Sequence, residues 1–220
     1  MGQLNPNGAI FLSAGVPDAS AKHFMGVGDT AAISAAVSAL LYVTLGRRRL
    51  VWGGHPSITP MVWSFAETMS VDYGTWVKLY QSEIFEDEFP EETARFQNVV
   101  ITKRGDDVAS SLEHMRKRML DETDFSAAVF VGGMKGIMDE YTLFKERAPE
   151  AAIIPVMSTG GAAEVLGTRL RIAPSLALQL DYVALLHETL QIDVNEKRYT
   201  TPEQQPKDLR ARIARPEHPA

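Results

Sequence analysis

The chain contains no cysteine, which excludes disulfides, thiolate metal ligands and a cysteine nucleophile. Its histidines, aspartates and glutamates show no metal-ligand spacing such as HExxH, so we expect neither a metal nor a cofactor. Lysine and arginine number 22 against 28 acidic residues, and the resulting net charge of −6 argues against a nucleic-acid partner.

Long apolar runs are also missing. The longest apolar helix candidate, residues 31–45, is too short to span a bilayer and carries Ser34, Ser38 and Thr44. The start, MGQLNPNGA, lacks the basic and apolar regions of a signal peptide. We therefore expect a cytoplasmic protein without a membrane partner.

Two familiar phosphate-binding motifs are absent. No GxGxxG follows the first predicted strand, which disfavours an ordinary dinucleotide dehydrogenase. No GxxxxGK[ST] occurs anywhere, which disfavours a P-loop nucleotidase.

What the chain does contain is an alternation of short apolar strands and helical patterns. Strands are predicted at 9–13, 50–52, 76–80, 99–102, 125–131 and 151–156, and helices at 31–45, 108–121 and 176–190. This order predicts an α/β fold with a doubly wound, Rossmann-like parallel sheet in a single domain. We expect the domain to span 9–192, with a flexible arm at 1–8. Residues 193–220 are polar and proline-rich, and predict a tail or a partner-wrapping arm.

The stretch FSAAVFVGGMKGIMDE at 125–140 is the strongest local signal. Its apolar run predicts a buried parallel strand that leads into a helix. Glycines at such a junction allow a ligand to approach the backbone, and the helix start attracts phosphate. Glu140 lies about one turn beyond Gly136 and points its carboxylate to the same region if the helix forms. The alternative is a tight turn followed by a solvated acid, because one glycine-rich turn is a weak motif.

Similar Gly-Gly junctions follow the strands at 50–52 and 151–156. Ligands of open parallel sheets bind beyond the carboxyl ends of the strands, so three such junctions favour a nucleotide or sugar-phosphate site. The candidate ligand-binding residues are Ser13, Gly53, Gly54, His55, Gln81, Ser82, Gly132, Gly133, Met134, Gly136, Glu140, Thr159, Gly160 and Gly161. A scaffold whose glycines only form turns is the plainer alternative.

Two charged stretches are expected to be solvated. Arg47, Arg48 and Arg49 follow the first helix and are interpreted as a solvated helix end rather than a phosphate patch. The segment EIFEDEFPEE at 83–92 is interpreted as an acidic loop on the surface.

Two of these stretches resemble the SLOG superfamily, which includes the LOG cytokinin-activating phosphoribohydrolases, DprA and the ligand-binding region of TRPM channels. LVWGGHPSITPM at 50–61 stands where LOG enzymes carry a strand and a glycine-rich turn. VGGMKGIMDE at 131–140 resembles their PGGxGTxxE motif, and Arg116-Lys117 precede it at the distance of their RK pair. The resemblance covers about 9–165. It implies that Arg116 and Glu140 are the functional arginine and glutamate, with Gly132, Gly133 and Gly136 as the motif glycines.

The chain also departs from the LOG pattern. Val131 replaces the proline, one residue is inserted at Met134-Lys135, and Ile137 replaces the threonine. These changes are closer to the prokaryotic, defence-associated SLOG groups than to the phosphoribohydrolases.

The resemblance leaves two functions open. The first is a sensor of an ADP-ribose-like or other nucleotide-derived molecule, in which Gln81, Ser82 or His55 contacts sugar or base. The second is a nucleotide N-glycosidase with Arg116 and Glu140 as catalytic residues, because a carboxylate stabilises an oxocarbenium-like sugar. The resemblance further implies a homodimer or higher oligomer, and a sensor implies a separate effector protein.

Overall fold

The computed structural model describes residues 3–17 and 28–214, and within them six strands form one parallel sheet in the order β4-β3-β2-β1-β5-β6. The strands are β1 (Ala9–Gly15), β2 (Leu50–Trp52), β3 (Val77–Ser82), β4 (Asn98–Thr102), β5 (Phe125–Gly132) and β6 (Ala152–Val156). The predicted fold class, a single-domain α/β fold with a doubly wound, Rossmann-like sheet, is confirmed.

Helices cover both faces of the sheet. They are α1 (Thr30–Thr44), α2 (Thr59–Ala66), α3 (Tyr73–Trp76), α4 (Val108–Asp121), α5 (Lys135–Arg147), α6 (Gly161–Arg169), α7 (Pro174–Ala177), α8 (Tyr182–Thr189) and α9 (Leu209–Arg212). Helices α1, α2 and α8 pack on the face that carries Leu12 and Val129. Helices α4, α5 and α6 pack on the opposite face, which carries Phe11 and Phe130. Covering both faces explains why the strands are almost continuously apolar.

The predicted bounds of β2 and α4 are confirmed, and two other predictions are corrected. Strand β3 begins at Val77, because Trp76 belongs to α3, and it continues beyond the predicted 76–80 to include Gln81 and Ser82 at its end. The predicted helix at 176–190 is divided into α7 and α8. The division has a local cause, because the side chain of Asp181 accepts a hydrogen bond from Ala184 N and so begins a new helix.

Residues 193–214, for which composition predicts a tail, pack against the domain. Glu196 is 1% exposed and lies between two arginines. Its carboxylate accepts hydrogen bonds from Arg48 Nη1 and Nη2 at 2.6 and 3.0 Å, and Arg212 Nη1 lies 3.6 Å from Oε1. Trp76 Nε1 donates to the carbonyl of Thr200 at 2.9 Å. Within 193–214 only Glu196 and Arg212 are buried, and their paired charges hold against the domain a segment whose other residues are exposed or half-buried.

The prediction that the arginine triplet 47–49 forms a solvated helix end is also corrected. Arg47 and Arg48 are buried, and Arg47 Nε donates to the Glu196 carbonyl at 2.6 Å. Burial lowers the pKa of Arg47 to about 10. Arg49 alone of the triplet is exposed.

The amino-terminal residues also contact Arg212 of this C-terminal segment and Gln191, which lies just before it. Arg212 Nη1 donates to the carbonyl of Pro6 at 2.9 Å, and Leu4 N donates to Gln191 Oε1 at 3.0 Å. Residues 3–8 of the expected arm therefore pack on the domain. Residues 1–2 of that arm and 215–220 of the expected tail lie outside the described residues.

Candidate functional site

A cavity of about 410 Å³ lies at the carboxyl ends of β1, β2, β3 and β5. The chain runs outward from β1 through β2 and β3 to β4, and then returns to place β5 on the other side of β1. This reversal of strand order is where open α/β sheets bind their ligands. The lining includes the predicted residues Gly53, Gly54, His55, Gln81, Ser82, Arg116, Gly133, Met134, Gly136 and Glu140.

The Gly132-Gly133 junction is braced by the protein itself. Gly133 N donates to the Gly15 carbonyl at 2.7 Å, and Gly132 N donates to Thr159 Oγ1 at 2.8 Å. Gly133 has a φ of +72°, and a Cβ there would lie 2.1 Å from Cδ1 of Ile137. These glycines therefore allow β5 to approach β1 and α5, while their own amide groups are already occupied.

The third Gly-Gly junction, Gly160-Gly161, packs against the Gly132-Gly133 loop. Ala162 N donates to the Gly133 carbonyl at 2.9 Å, and a Cβ on Gly161 would lie 2.6 Å from that oxygen. Thr159, Gly160, Gly161 and Gly132 are not among the described residues that line the cavity. The expectation that this junction lines the same cleft is therefore corrected, because it packs against the loop that forms the cleft.

The start of α5 is the part of this junction whose backbone amide groups remain without a backbone acceptor in the described part of the chain. Its N-cap residue, Met134, makes no side-chain capping bond, and Met134 and Gly136 both line the cavity. The amide groups of Lys135 and Gly136 donate to no backbone carbonyl of the described residues. An uncapped helix start presents free N–H groups and a partial positive charge. This end of the cavity is therefore suited to an anion.

Arg116 of α4, Glu140 of α5 and Ser13 of β1 meet at the cavity wall. Arg116 Nε lies 3.2 Å from Glu140 Oε1, and Ser13 Oγ donates to Glu140 Oε2 at 2.5 Å. A Cβ on Gly136 would lie 3.1 Å from Arg116 Nη2, so the guanidinium reaches the first turn of α5. Ser13 does not itself line the cavity, and it orients the carboxylate that does.

His55 lies on the β2 side of the cavity. Its Nδ1 accepts a hydrogen bond from Ser57 N at 3.2 Å, which leaves the proton of the neutral ring on Nε2. Burial lowers the pKa of His55, which favours that neutral form. The ring therefore offers a hydrogen-bond donor on the side of Gly15, whose added Cβ would lie 3.9 Å from Nε2.

The apolar part of the cavity contains residues that the sequence reasoning missed. They are Leu12, Trp52, Phe85, Phe89, Pro90, Leu112, Met115 and Ile137. Phe85 and Phe89 belong to the segment that was expected to be a solvated acidic loop, which forms two 3₁₀ turns, Glu83–Glu88 and Glu91–Arg95. Its carboxylates at Glu83 and Glu86 are exposed, whereas both phenylalanines are half-buried against the cavity. The sequence signal that could have identified them is the spacing of Phe85 and Phe89, two aromatic residues four positions apart in an acidic segment.

Comparison with known families agrees with this architecture. The family model described as the SLOG cluster3 family matches residues 23–190. The chain belongs to this SLOG family. The SLOG match includes β2 through α8, with the glycine junctions, Arg116 and Glu140, and it ends before the C-terminal segment at 193–214. No curated protein matched the chain.

Two further findings concern the part of the chain that the structure describes. Its His, Asp and Glu residues include no group of three or more arranged to hold a metal ion. None of its helices is both long and apolar enough to cross a bilayer.

Proposed function

We propose that this SLOG protein binds a nucleotide-derived molecule, an ADP-ribose-like compound or another phosphorylated nucleoside, in the cavity at the strand ends. The observation that carries the proposal is the contrast between the two ends of one cavity. The uncapped start of α5 lies beside the Arg116 guanidinium at one end, and Phe85 and Phe89 lie in the apolar wall.

The first end supports a phosphate. Free amide groups at a helix start and a guanidinium both donate hydrogen bonds to phosphate oxygens. The Arg116 side chain is 12% exposed, so solvent screens its charge weakly. Glu140 accepts from Arg116 Nε, and Nη1 lies 3.9 Å from Asp139 Oδ2, whereas Nη2 lies on the side of Gly136, where it can donate to a ligand.

The size and the walls of the cavity support a ligand larger than phosphate. A volume of about 410 Å³ falls within the range of small-molecule sites, roughly 300–1,000 Å³. Most of its lining is apolar or aromatic, as in sites that enclose a base and sugar.

Binding without turnover is the preferred form of the proposal. Both oxygens of Glu140 already accept hydrogen bonds, from Ser13 and Arg116, and Ile137 stands where LOG enzymes carry a threonine. In this form the protein is a sensor in a prokaryotic stress or defence system. A homodimer or larger oligomer, or a separate effector protein, transmits the signal.

The second candidate function is hydrolysis of a nucleotide N-glycosidic bond. It is favoured by the triad of Ser13, Glu140 and Arg116, which holds a carboxylate at the cavity wall. A Cβ on Gly53 would lie 4.0 Å from Glu140 Oε1, so the glycine that follows β2 leaves that side of the carboxylate uncovered. In this role Glu140 stabilises an oxocarbenium-like sugar while Arg116 binds the phosphate.

The test is to mix the purified protein with AMP, NAD and ADP-ribose, measure thermal unfolding, and analyse the mixtures by chromatography. We expect the phosphorylated compounds to raise the melting temperature more than adenosine does. Arg116→Ala should weaken binding about 10- to 100-fold, because charge-assisted hydrogen bonds are lost. Lys117→Ala is the matched control, since Lys117 is an exposed neighbour paired with Glu113.

The two functions separate in the chromatogram. Intact nucleotide together with a raised melting temperature supports binding, whereas free base released by the wild type and not by Glu140→Gln supports hydrolysis. If none of these compounds binds, or if Arg116→Ala binds as tightly as Lys117→Ala, the proposed function is wrong.

A further inference from the structure

Three buried polar atoms without a hydrogen-bond partner belong to residues of the same cavity lining. They are Trp52 Nε1, Gln81 Oε1 and Ser82 Oγ, and a fourth such atom, Thr93 Oγ1, belongs to a residue outside the lining. Trp52 is 1% exposed, Gln81 6% and Ser82 1%. Buried side-chain polar atoms almost always have a partner, so a cluster of exceptions requires an explanation.

The three residues share one place in the fold. Trp52 ends β2, and Gln81 and Ser82 end β3, which pairs with β2. Gly54 lies next to this pair of strands, with a φ of +63°, and a Cβ there would lie 3.0 Å from Gln81 Nε2. The unpartnered atoms therefore occur at the sheet edge where a ligand is expected, and not at random through the core.

Their chemistry specifies a complementary group. The Trp52 indole N–H only donates and therefore needs an acceptor, whereas the Gln81 amide and the Ser82 hydroxyl both donate and accept. All three are uncharged, and the lining also contains the acidic residue Glu88, which disfavours a second phosphate in this part of the cavity. The matching group is thus neutral and carries both donors and acceptors.

The surroundings specify its shape. Phe85, Phe89 and Pro90 contribute flat apolar surfaces to the same lining. A planar heterocycle presents apolar faces to such surfaces and polar atoms at its edge, whereas a ribose is puckered and polar on most sides. A nucleobase fits this part of the cavity better than the sugar does.

We propose that Trp52, Gln81 and Ser82 recognise the hydrogen-bonding edge of a nucleobase, and that this contact makes the site selective for a base-bearing ligand over a bare sugar phosphate. The inference rests on the proposed function, because the phosphate end described above sets the orientation of the ligand.

The experiment compares AMP, GMP, CMP and UMP with ribose 5-phosphate, which has no base, by calorimetric titration. The variants are Trp52→Phe, Gln81→Leu and Ser82→Ala, and Thr93→Val is the matched control that removes an unpartnered buried hydroxyl elsewhere. We expect at least one nucleotide to bind about ten-fold or more tightly than ribose 5-phosphate. The three variants should lose that preference, and Thr93→Val should keep it.

A stability measurement accompanies the titration. Ser82→Ala removes only a hydroxyl that has no partner, so it should not lower the melting temperature of the ligand-free protein. Ser82→Ala is the mildest change and tests the idea even if a larger substitution fails to fold. Normal stability with lost preference for the nucleotide identifies a recognition role rather than a structural one.

The other outcomes are distinct. Equal binding of nucleotides and ribose 5-phosphate, or a preference that persists in the three variants, overturns the inference and leaves the proposed function standing. Absence of binding to every compound, ribose 5-phosphate included, overturns this inference, and it overturns the proposed function as well if NAD and ADP-ribose also fail to bind.

Discussion

Arg116 Nε and Glu140 Oε1 lie 3.2 Å apart, although 24 residues separate them and they belong to different helices. The pair joins α4 to α5 directly beside the uncapped helix start. Its side chains are only 12% and 15% exposed, which distinguishes it from the other ion pairs along α4.

The first prediction concerns the strength of this pair. Double-mutant cycles with alanine should give a coupling energy of about 1–3 kcal/mol for Arg116 and Glu140, because both groups are shielded from solvent. The exposed Lys117–Glu113 pair on α4 should give about 0.3–0.5 kcal/mol in the same urea titrations. Equal couplings would show that solvent screens both pairs alike.

A second prediction tests the backbone of the central loop. Gly133→Ala should lower the free energy of unfolding by about 1–3 kcal/mol, because the residue has a positive φ and its Cβ would overlap Ile137. Gly136→Ala is the control, since its Cβ meets only the movable end of Arg116 and alanine favours a helix. The control should retain or raise stability, and a Gly133→Ala protein as stable as wild type would contradict the assigned conformation.

A third prediction concerns the buried charge cluster that holds the C-terminal segment against the domain. Glu196→Ala should destabilise the protein by about 3–5 kcal/mol, because it leaves Arg48 and Arg212 buried without their shared carboxylate. Glu203→Ala is the comparison, because its pair with Arg49 is exposed at 73% and 62%. That change should cost less than about 1 kcal/mol. Similar losses in the two variants would mean that residues 193–214 do not contribute to stability as the packing indicates.

The fourth prediction is a pH dependence. Burial lowers the pKa of His55 below its ordinary value of 6.5, so the unfolded chain takes up a proton at a higher pH than the folded protein does. As pH falls below about 6.5, the unfolded state therefore gains protons first and stability decreases. His55→Asn should flatten the melting temperature between pH 7 and pH 5 relative to wild type. His114→Asn, at an exposed position of α4, should keep the wild-type profile, and a His55→Asn curve parallel to wild type would refute the assignment.

Local patterns predicted β2 and α4 with their observed bounds, because each contains its own signals of apolar run, cap and turn. The same reasoning gave β3 the range 76–80, which stops just before Gln81 and Ser82, the last residues of the observed strand. Pairing with Ile101 and Thr102 of β4 extends the strand through them, and that partner is remote in sequence.

The acidic segment shows a second kind of failure. Its charged residues predict exposure, and Glu83 and Glu86 are exposed. The two phenylalanines among them nevertheless turn toward the cavity. The composition of the segment averages over residues that face opposite directions, so it could not distinguish the exposed glutamates from the phenylalanines that line the cavity.

The fold class, the SLOG resemblance and the residues at the strand ends were evident from the chain of amino acids, because they depend on short motifs and on the period of apolar positions. Three features emerged from the folded molecule: the buried Arg48–Glu196–Arg212 cluster, the use of the Gly132 and Gly133 amides in bracing, and the unpartnered atoms of Trp52, Gln81 and Ser82. The physical reason is common to all three. Whether a polar group is paired, buried or free depends on which distant residue lies next to it, and no local pattern records that neighbour.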